Sequence, residues 1–316
     1  MGQPRFPKKK MNSVEGKFDE IGIVCHDAGG AEIISSYIAR NPNKYRFILA
    51  GPAVEIFKRK FGNINLSTLE GSINFCHTYL CGTSWKSDLE WNAIKLARIN
   101  KRKSICFLDH WVNYKNRFIR RGFVEVPDRT IVGDVEAFEI AKNQLPGFNI
   151  ELISNPYYED IKSQIKNIRA QKKIYPKSSE RLLFISENIS SLRGLCLAGE
   201  DMWGYDEFDA IDYLLENLTR VNPKITEVMI RPHPSDEDGK YQKYLVNDGI
   251  KIGISDKLVS LIEDIEQTNI VAGCQSMGLI VALISEKRVI SCIPPGGKEC
   301  RLPNHKIEHL RNWIKR

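Results

Sequence analysis

The sequence contains no apolar run long enough to cross a bilayer, no CxxC pair, no short-period repeat and no low-complexity tract. Each absence removes a class. Without a continuous apolar stretch the chain does not read as an integral membrane protein. Without closely spaced ligand pairs, the eight cysteines (Cys25, Cys76, Cys81, Cys106, Cys196, Cys274, Cys292, Cys300) do not read as a zinc site. They are scattered and mostly lie inside strand-like apolar runs, which suits reduced core thiols in a cytosol, and no metal is implied. The opening MGQPRFPKKKMNSVEGKFDE is basic but has no apolar stretch behind it and no Ser or Thr where a myristoylation signal needs one. Residues 1–17 are therefore expected to be a disordered basic tail. The aromatic-basic interleaving of a nucleic-acid module is also missing, so no nucleic-acid partner is expected.

What is present is ordinary for a soluble protein. A hydrophobic share of 42% and a charged share of 27% allow a sizeable core. A length of 316 residues favours two domains. The net charge of +7 gathers in the tail, at Lys101–Lys103, from Lys115 to Arg121, and in the last residues from His305 to Arg316. Such a surplus suits an anionic lipid or an acidic substrate, and equally a solvated surface. Short apolar runs alternate with amphipathic stretches throughout, the pattern of βαβ units on a parallel sheet. The spacing predicts an N-terminal Rossmann-like domain over 18–173, a C-terminal Rossmann-like domain over 174–302, and a last helix over 303–316. The fold class is α/β.

Ligands of open α/β sheets gather beyond the carboxyl ends of the strands, and four polar clusters lie there. His26-Asp27-Ala28-Gly29-Gly30-Ala31 follows the first strand and opens a helix. It is not a GxGxxG loop; Asp27 either caps the helix or stands in a site, and its acidity argues for a sugar or acceptor here rather than a phosphate. Phe107-Leu108-Asp109-His110-Trp111 ends the fourth strand, where Asp109 and His110 are candidate proton acceptors. Gly82-Thr83-Ser84-Trp85 joins that rim, with Ser84, Trp85, Gly29 and Gly30 as acceptor-binding candidates. In the second half, Arg231-Pro232-His233-Pro234-Ser235 follows an apolar strand, and two prolines hold His233 in a rigid turn. Gly273-Cys274-Gln275-Ser276-Met277-Gly278 opens a helix with small residues that let N–H groups reach an anion. Ser186 and Glu187 add a polar rim. Arg231, His233, Pro234, Gly273, Gln275, Ser276, Met277, Ser186 and Glu187 are thus the nucleotide-binding candidates, and Asp109, Asp27, His26 and His110 the catalytic ones.

A strand followed by RPHP, with a later strand followed by a small-residue and Ser turn, resembles bacterial GT-B glycosyltransferases of the sialyltransferase-like and Kdo transferase-like group. The resemblance implies two Rossmann-like domains facing across a cleft, with His233 and Ser276 on a CMP phosphate. It implies further a carboxylate base on a first-half strand end, where Asp-Asp-Gly or Glu-Asp-Gly is usual. Here Asp109-His110-Trp111 departs from that motif, leaving Asp27 a rival. The layout is also similar to the glycerophosphotransferases of teichoic acid synthesis and to the non-hydrolysing UDP-sugar 2-epimerases. The expected activity is transfer of a nonulosonic sugar (sialic, pseudaminic or legionaminic acid, or Kdo) from a CMP-sugar to a glycan hydroxyl, in capsule or lipopolysaccharide synthesis. The alternative is an NDP-sugar 2-epimerase or a CDP-polyol phosphotransferase. No cofactor is expected beyond the CMP-sugar co-substrate. The partners would be the nucleotide sugar and a glycan or lipid-linked glycan acceptor. The protein would be cytoplasmic, touching the inner membrane through the amphipathic stretch from His305 to Arg316 if that helix does not pack at the domain junction.

Overall fold

The computed structural model describes residues 19–84, 86–171, 180–191, 203–246 and 249–313. The chain divides into two compact units, Met1–Ser154 and Asn155–Arg316.

In the first unit, β1 (Glu20–Cys25), α1 (Ala28–Arg40), β2 (Tyr45–Leu49), α2 (Pro52–Phe61), α3 (Leu69–Ser72), β3 (Cys76–Cys81), α4 (Leu89–Ile99) and β4 (Lys103–Phe107) come first. α5 (Tyr114–Phe118), β5 (Ile119–Arg120), β6 (Phe123–Val124), β7 (Arg129–Val132), α6 (Val135–Gln144) and β8 (Ile150–Leu152) follow. Six strands form one sheet in the order β2-β1-β3-β4-β7-β8, every pair parallel. Strands such as Ile23-Val24-Cys25 and Ile131-Val132 are buried, as expected of a sheet covered on both faces. β5 and β6 stand apart as an antiparallel hairpin. β3 starts later than the apolar run from Ile73 suggests, because Thr68 caps a helical turn that Ile73 terminates.

The second unit begins with α7 (Pro156–Gln171), followed by β9 (Glu180–Ile185), α8 (Glu207–Glu216), α9 (Leu218–Val221), β10 (Ile225–Arg231), β11 (Lys251–Ile254) and α10 (Leu261–Glu266). β12 (Ile270–Gly273), α11 (Met277–Ile284), β13 (Arg288–Ser291) and β14 (Ile307–His309) complete it. The sheet order is β11-β10-β9-β12-β13-β14, again all parallel. Capping boxes start two helices: Asp206 with Asp209 for α8, and Ser260 with Glu263 for α10.

Two expected boundaries change. The division falls at 154/155, not at 173/174, because α7 packs on α10 and α11. Its Ile161 and Ile165 are buried, each contributing about 2 kcal/mol, and Arg169 bonds Glu266 and the Ser285 carbonyl. The helix expected over 303–316 is instead the short strand β14 and a 3-10 turn over Leu310–Trp313. Ile307 and Leu310 are buried, and β14 extends the sheet beside β13. No helix among the described residues is long and apolar enough to cross a membrane. The tail over 1–17, Cys196 and Trp85 lie outside the described residues.

Candidate functional site

In each sheet the strand order reverses beside the first strand, between β1 and β3 in one unit and between β9 and β12 in the other. The crevice beyond the carboxyl ends of strands at such a reversal is where open α/β sheets bind ligands. The His26-Asp27 and Gly82-Ser84 clusters border the first reversal and the Ser186-Glu187 and Gly273-Ser276 clusters the second, while Asp109-His110 and the RPHP turn follow the adjoining strands β4 and β10.

After β1, Asp27 occupies the N-cap position of α1, yet its carboxylate caps no N–H of that helix. It accepts instead from Nδ1 of His26 at 2.7 Å. With the proton on Nδ1, Nε2 of the neutral ring carries the lone pair. Gly51 makes room for that edge: it adopts φ +55°, and a Cβ there would lie 2.7 Å from Nε2. From α4, Glu90 accepts the backbone N–H of His26 at 2.7 Å through Oε1. Glu90 is only 2% exposed, and its Oε2 has no partner among the described residues. Burial pushes its carboxyl up to about 7; the His26 N–H opposes the rise and the negative charge of Asp27 adds to it. Sequence reasoning missed Glu90, although a readable signal existed. It shares the spacing of Ile94 and Ala97, the buried stripe of α4.

Asp109, the leading carboxylate candidate, is built into the scaffold. One oxygen pairs with the buried guanidinium of Arg117, which also donates to Thr83 Oγ1 at 2.7 Å and to the Thr83 carbonyl at 3.0 Å. The other oxygen lies where a Cβ on Gly29 would be, 2.0 Å from that position. Gly29 therefore admits Asp109, and Gly30 admits the backbone of Gly82, whose Cα would be 3.0 Å from a Cβ at residue 30. Ser84 is buried and its Oγ accepts the N–H groups of Lys86 and Ser87. His110 accepts the Trp111 N–H on Nδ1 at 2.9 Å. Of the residues expected on this rim, the structure brings His26 and Asp27 together and gives Asp109, Gly29, Gly30 and Ser84 internal partners.

In the second unit the RPHP turn is pinned by a residue the sequence reading passed over. Buried Asp236 accepts the His233 N–H and the Tyr241 hydroxyl, each at 2.8 Å, and pairs with Lys240 at 2.6 Å. The Ser235 N–H points at His233 Nδ1 at 3.2 Å. Nδ1 is thereby an acceptor, so Nε2 of the neutral ring carries the hydrogen and serves as a donor. Ser186 props the same turn, 2.6 Å from the Tyr241 hydroxyl. Arg231 is turned inward: its Nη1 pairs with Asp264 and donates to the Val259 carbonyl at 3.0 Å. Pro234 is exposed.

The backbone N–H groups of the turn that precedes α11 are already engaged by a carboxyl group. Glu187, after β9, accepts the Gln275 N–H at 2.6 Å, and the N–H groups of Cys274 and Ser276 bond the same carboxylate. Burial pushes this carboxyl up to about 7, against the pull of those three N–H groups. Ser276 caps α11 through the Gly278 N–H at 3.1 Å, ahead of partly exposed Met277, and Gln275 Oε1 accepts the Arg301 N–H at 3.3 Å. Gly273 has no room for a side chain, since a Cβ would lie 2.9 Å from the Ile185 carbonyl. A cavity of about 240 Å³ opens beside the turn, lined by Pro232, Tyr241, Ile254 and Asp256 among others.

No family model matches the sequence, and no curated protein matches it. Among solved structures it is similar to UDP-GlcNAc 2-epimerase from Methanocaldococcus jannaschii. The identity is 11% and the TM-score 0.56, over 86% of this chain and 83% of that one. UDP-GlcNAc 2-epimerase from Neisseria meningitidis bound to UDP-GlcNAc gives 9% and 0.56, over 86% and 82%. The β-Kdo 2,7-transferase KpsC from Thermosulfurimonas dismutans gives 14% and 0.33, over 92% and 83%. The epimerase likenesses show the fold: two Rossmann-like units of the GT-B-like kind.

Proposed function

We propose that the chain is a nucleotide-sugar-dependent glycosyltransferase in which His26, oriented by Asp27, is the base. The carrying observation is the 2.7 Å contact that turns Asp27 away from the α1 N–H groups and onto His26. A carboxylate on Nδ1 holds the tautomer whose Nε2 accepts a proton. Nε2 takes the proton of an acceptor hydroxyl as its oxygen bonds the anomeric carbon. The bond from that carbon to the phosphate oxygen breaks, and its electron pair leaves with the nucleotide; within the second unit, the His233 Nε2–H is suited to a phosphate oxygen. Asp109 positions Arg117 and Thr83 and takes no proton.

The nonulosonic sugar of a CMP donor is the finer reading, and Glu187 supports it. With the N–H groups of the turn before α11 engaged by Glu187, that turn has fewer donors to offer a phosphate, which suits a donor carrying one phosphate better than a diphosphate. The fold likeness to UDP-GlcNAc 2-epimerases favours a second reading, epimerisation at C2 of a UDP-sugar. Thermal shift against CMP, CDP, UDP and their sugars separates the two. A ligand at a hundred times its dissociation constant adds about 2.7 kcal/mol to stability. CMP and CMP-sugars should stabilise the protein, and His26→Ala should abolish CMP release in the presence of acceptor. Stabilisation by UDP-GlcNAc alone, with solvent deuterium entering its C2 position, would establish the epimerase instead.

A further inference from the structure

The hairpin β5–β6 carries apolar side chains that the described residues leave exposed. Phe123 is 69% exposed, Val124 52%, Val126 45% and Ile119 37%. Ile119 and Val124 are cross-strand partners and so share one face, while Phe123 opposes Arg120 on the other, so both faces of the tip carry an exposed apolar side chain. The tip is tight, with Arg121 at φ 49° and Gly122 at φ 80°. Two-residue strands of this kind are not stable alone; the body of the first unit holds them. Buried Tyr114 and Phe118 root the hairpin, and Trp91 donates its indole N–H to the Phe118 carbonyl at 3.0 Å. Arg98 grips Glu125 through two bonds of 2.8 Å. Arg120 pairs with Asp88 and donates to the carbonyls of Asn116, Ile119, Ser84 and Ser87. The chain thus fixes an apolar tip rigidly in solvent. Lys115 and Arg121 flank it, both exposed and with no ion-pair partner among the described residues.

We propose that this hairpin is a membrane-docking finger: Ile119, Phe123, Val124 and Val126 enter the headgroup boundary of an anionic bilayer while Lys115 and Arg121 meet its phosphates. An exposed apolar cluster flanked by cations matches both components of such a surface, apolar burial and attraction to anionic lipid. In the stretch from His305 to Arg316, a sequence candidate for the same role, the apolar groups among the described residues are packed away. Leu310 is fully buried, and Trp313 packs on the core of the second unit beneath Arg288. Arg120 also links the finger to the loop after β3, so docking would bring that loop to the bilayer. The proposal does not depend on the transferase reading, because its test measures binding without turnover.

The full chain is sedimented with phosphatidylglycerol–phosphatidylcholine vesicles in about a 3:7 ratio, and with pure phosphatidylcholine vesicles. Binding to the anionic vesicles is expected, falling roughly tenfold or more in Phe123→Asp and in the pair Lys115→Glu with Arg121→Glu. Phe123→Trp should bind like the parent, and the indole emission it adds should be quenched by brominated lipid. Three outcomes overturn the proposal: no binding by the parent; undiminished binding by the hairpin variants, which assigns it to other basic segments; or no quenching of the emission that Phe123→Trp adds. A concentration-dependent dimer that Phe123→Asp dissociates, with no vesicle binding, makes the patch a self-association surface instead.

Discussion

Replacing Glu90 by Gln should stabilise the first unit at pH 8 and leave it nearly unchanged at pH 4. The carboxyl is 2% exposed, and burial pushes it from 4.5 up to about 7 in the folded chain. Because the folded state holds the proton more tightly than the unfolded one, folding takes up a proton between these values. Stability therefore falls as pH rises from about 4.5 to about 7 and is flat above. The ionisation penalty is absent at pH 4 and complete at pH 8. At about 1.4 kcal/mol per pK unit its ceiling is about 3 kcal/mol. Glutamine keeps an oxygen to accept the His26 N–H and cannot ionise, so it escapes the penalty.

Hydrogen exchange of the β1 and β3 amides reads the first unit without interference from the second. Under conditions where exchange follows the opening equilibrium, the variant's protection at pH 8 should exceed the parent's by up to roughly a hundredfold. At pH 4 the two should agree. Comparing them at one pH cancels the intrinsic rate and every other titrating group. Equal protection at pH 8, or greater protection in the parent, would refute the reasoning. It would mean that the carboxylate is stabilised inside the protein and that Oε2 finds a partner there.

Glu187→Ala should cost about 1–3 kcal/mol by stranding the N–H groups of Cys274, Gln275 and Ser276, and added sulfate should restore part of the loss while leaving the parent unmoved; a sulfate response in the parent would show the α11 terminus open to anions. Arg231→Ala should destabilise by about 3 kcal/mol in urea titration, since it leaves the Asp264 carboxylate unpaired. Unchanged stability with weakened nucleotide binding would make Arg231 a ligand residue. Gly51→Ala places a Cβ against His26 at a positive φ and should cost about 1–3 kcal/mol. It should also slow acylation of His26 by diethyl pyrocarbonate, which a bystander glycine would not affect.

The alternation of strand and helix was legible because both sheets are parallel and covered on both faces, so their strands read as apolar runs such as Ile23-Val24-Cys25. The end of the chain was not. Leu310, Trp313 and Ile314 fall at helical spacing, but Ile307 pairs with Val289 across the sheet, and no local pattern announces a three-residue strand. At the sites, His26, Asp27 and His233 were legible because each stands where a strand meets a turn. Their neighbours' roles were not, since those depend on tertiary pairing: Glu187 reaches Gln275 across 88 positions, and Arg231 reaches Asp264 across 33. Gly29 and Gly30 look from sequence like room for a ligand; the room is taken by Asp109 and Gly82.

Carboxylates at both strand-order reversals constrain what a ligand can place there. Two unit charges 4 Å apart interact by about 4 kcal/mol at an effective dielectric near 20, so a phosphate brought beside ionised Glu187 meets a cost comparable to a thousandfold in affinity. Hydroxyl groups meet none, because a carboxylate accepts their hydrogens. Under the proposed function, the reversal between β9 and β12 is suited to hydroxyl groups and the anion contact falls to the His233 turn, where Asp236 fixes the backbone and Ser235 the tautomer. The same reasoning holds between β1 and β3, where Asp27 disfavours a phosphate beside His26. The first unit thus offers an imidazole that can accept a proton, and the second an imidazole donor set apart from its helix terminus. A diphosphate would need a second cation to replace the N–H groups that Glu187 has taken.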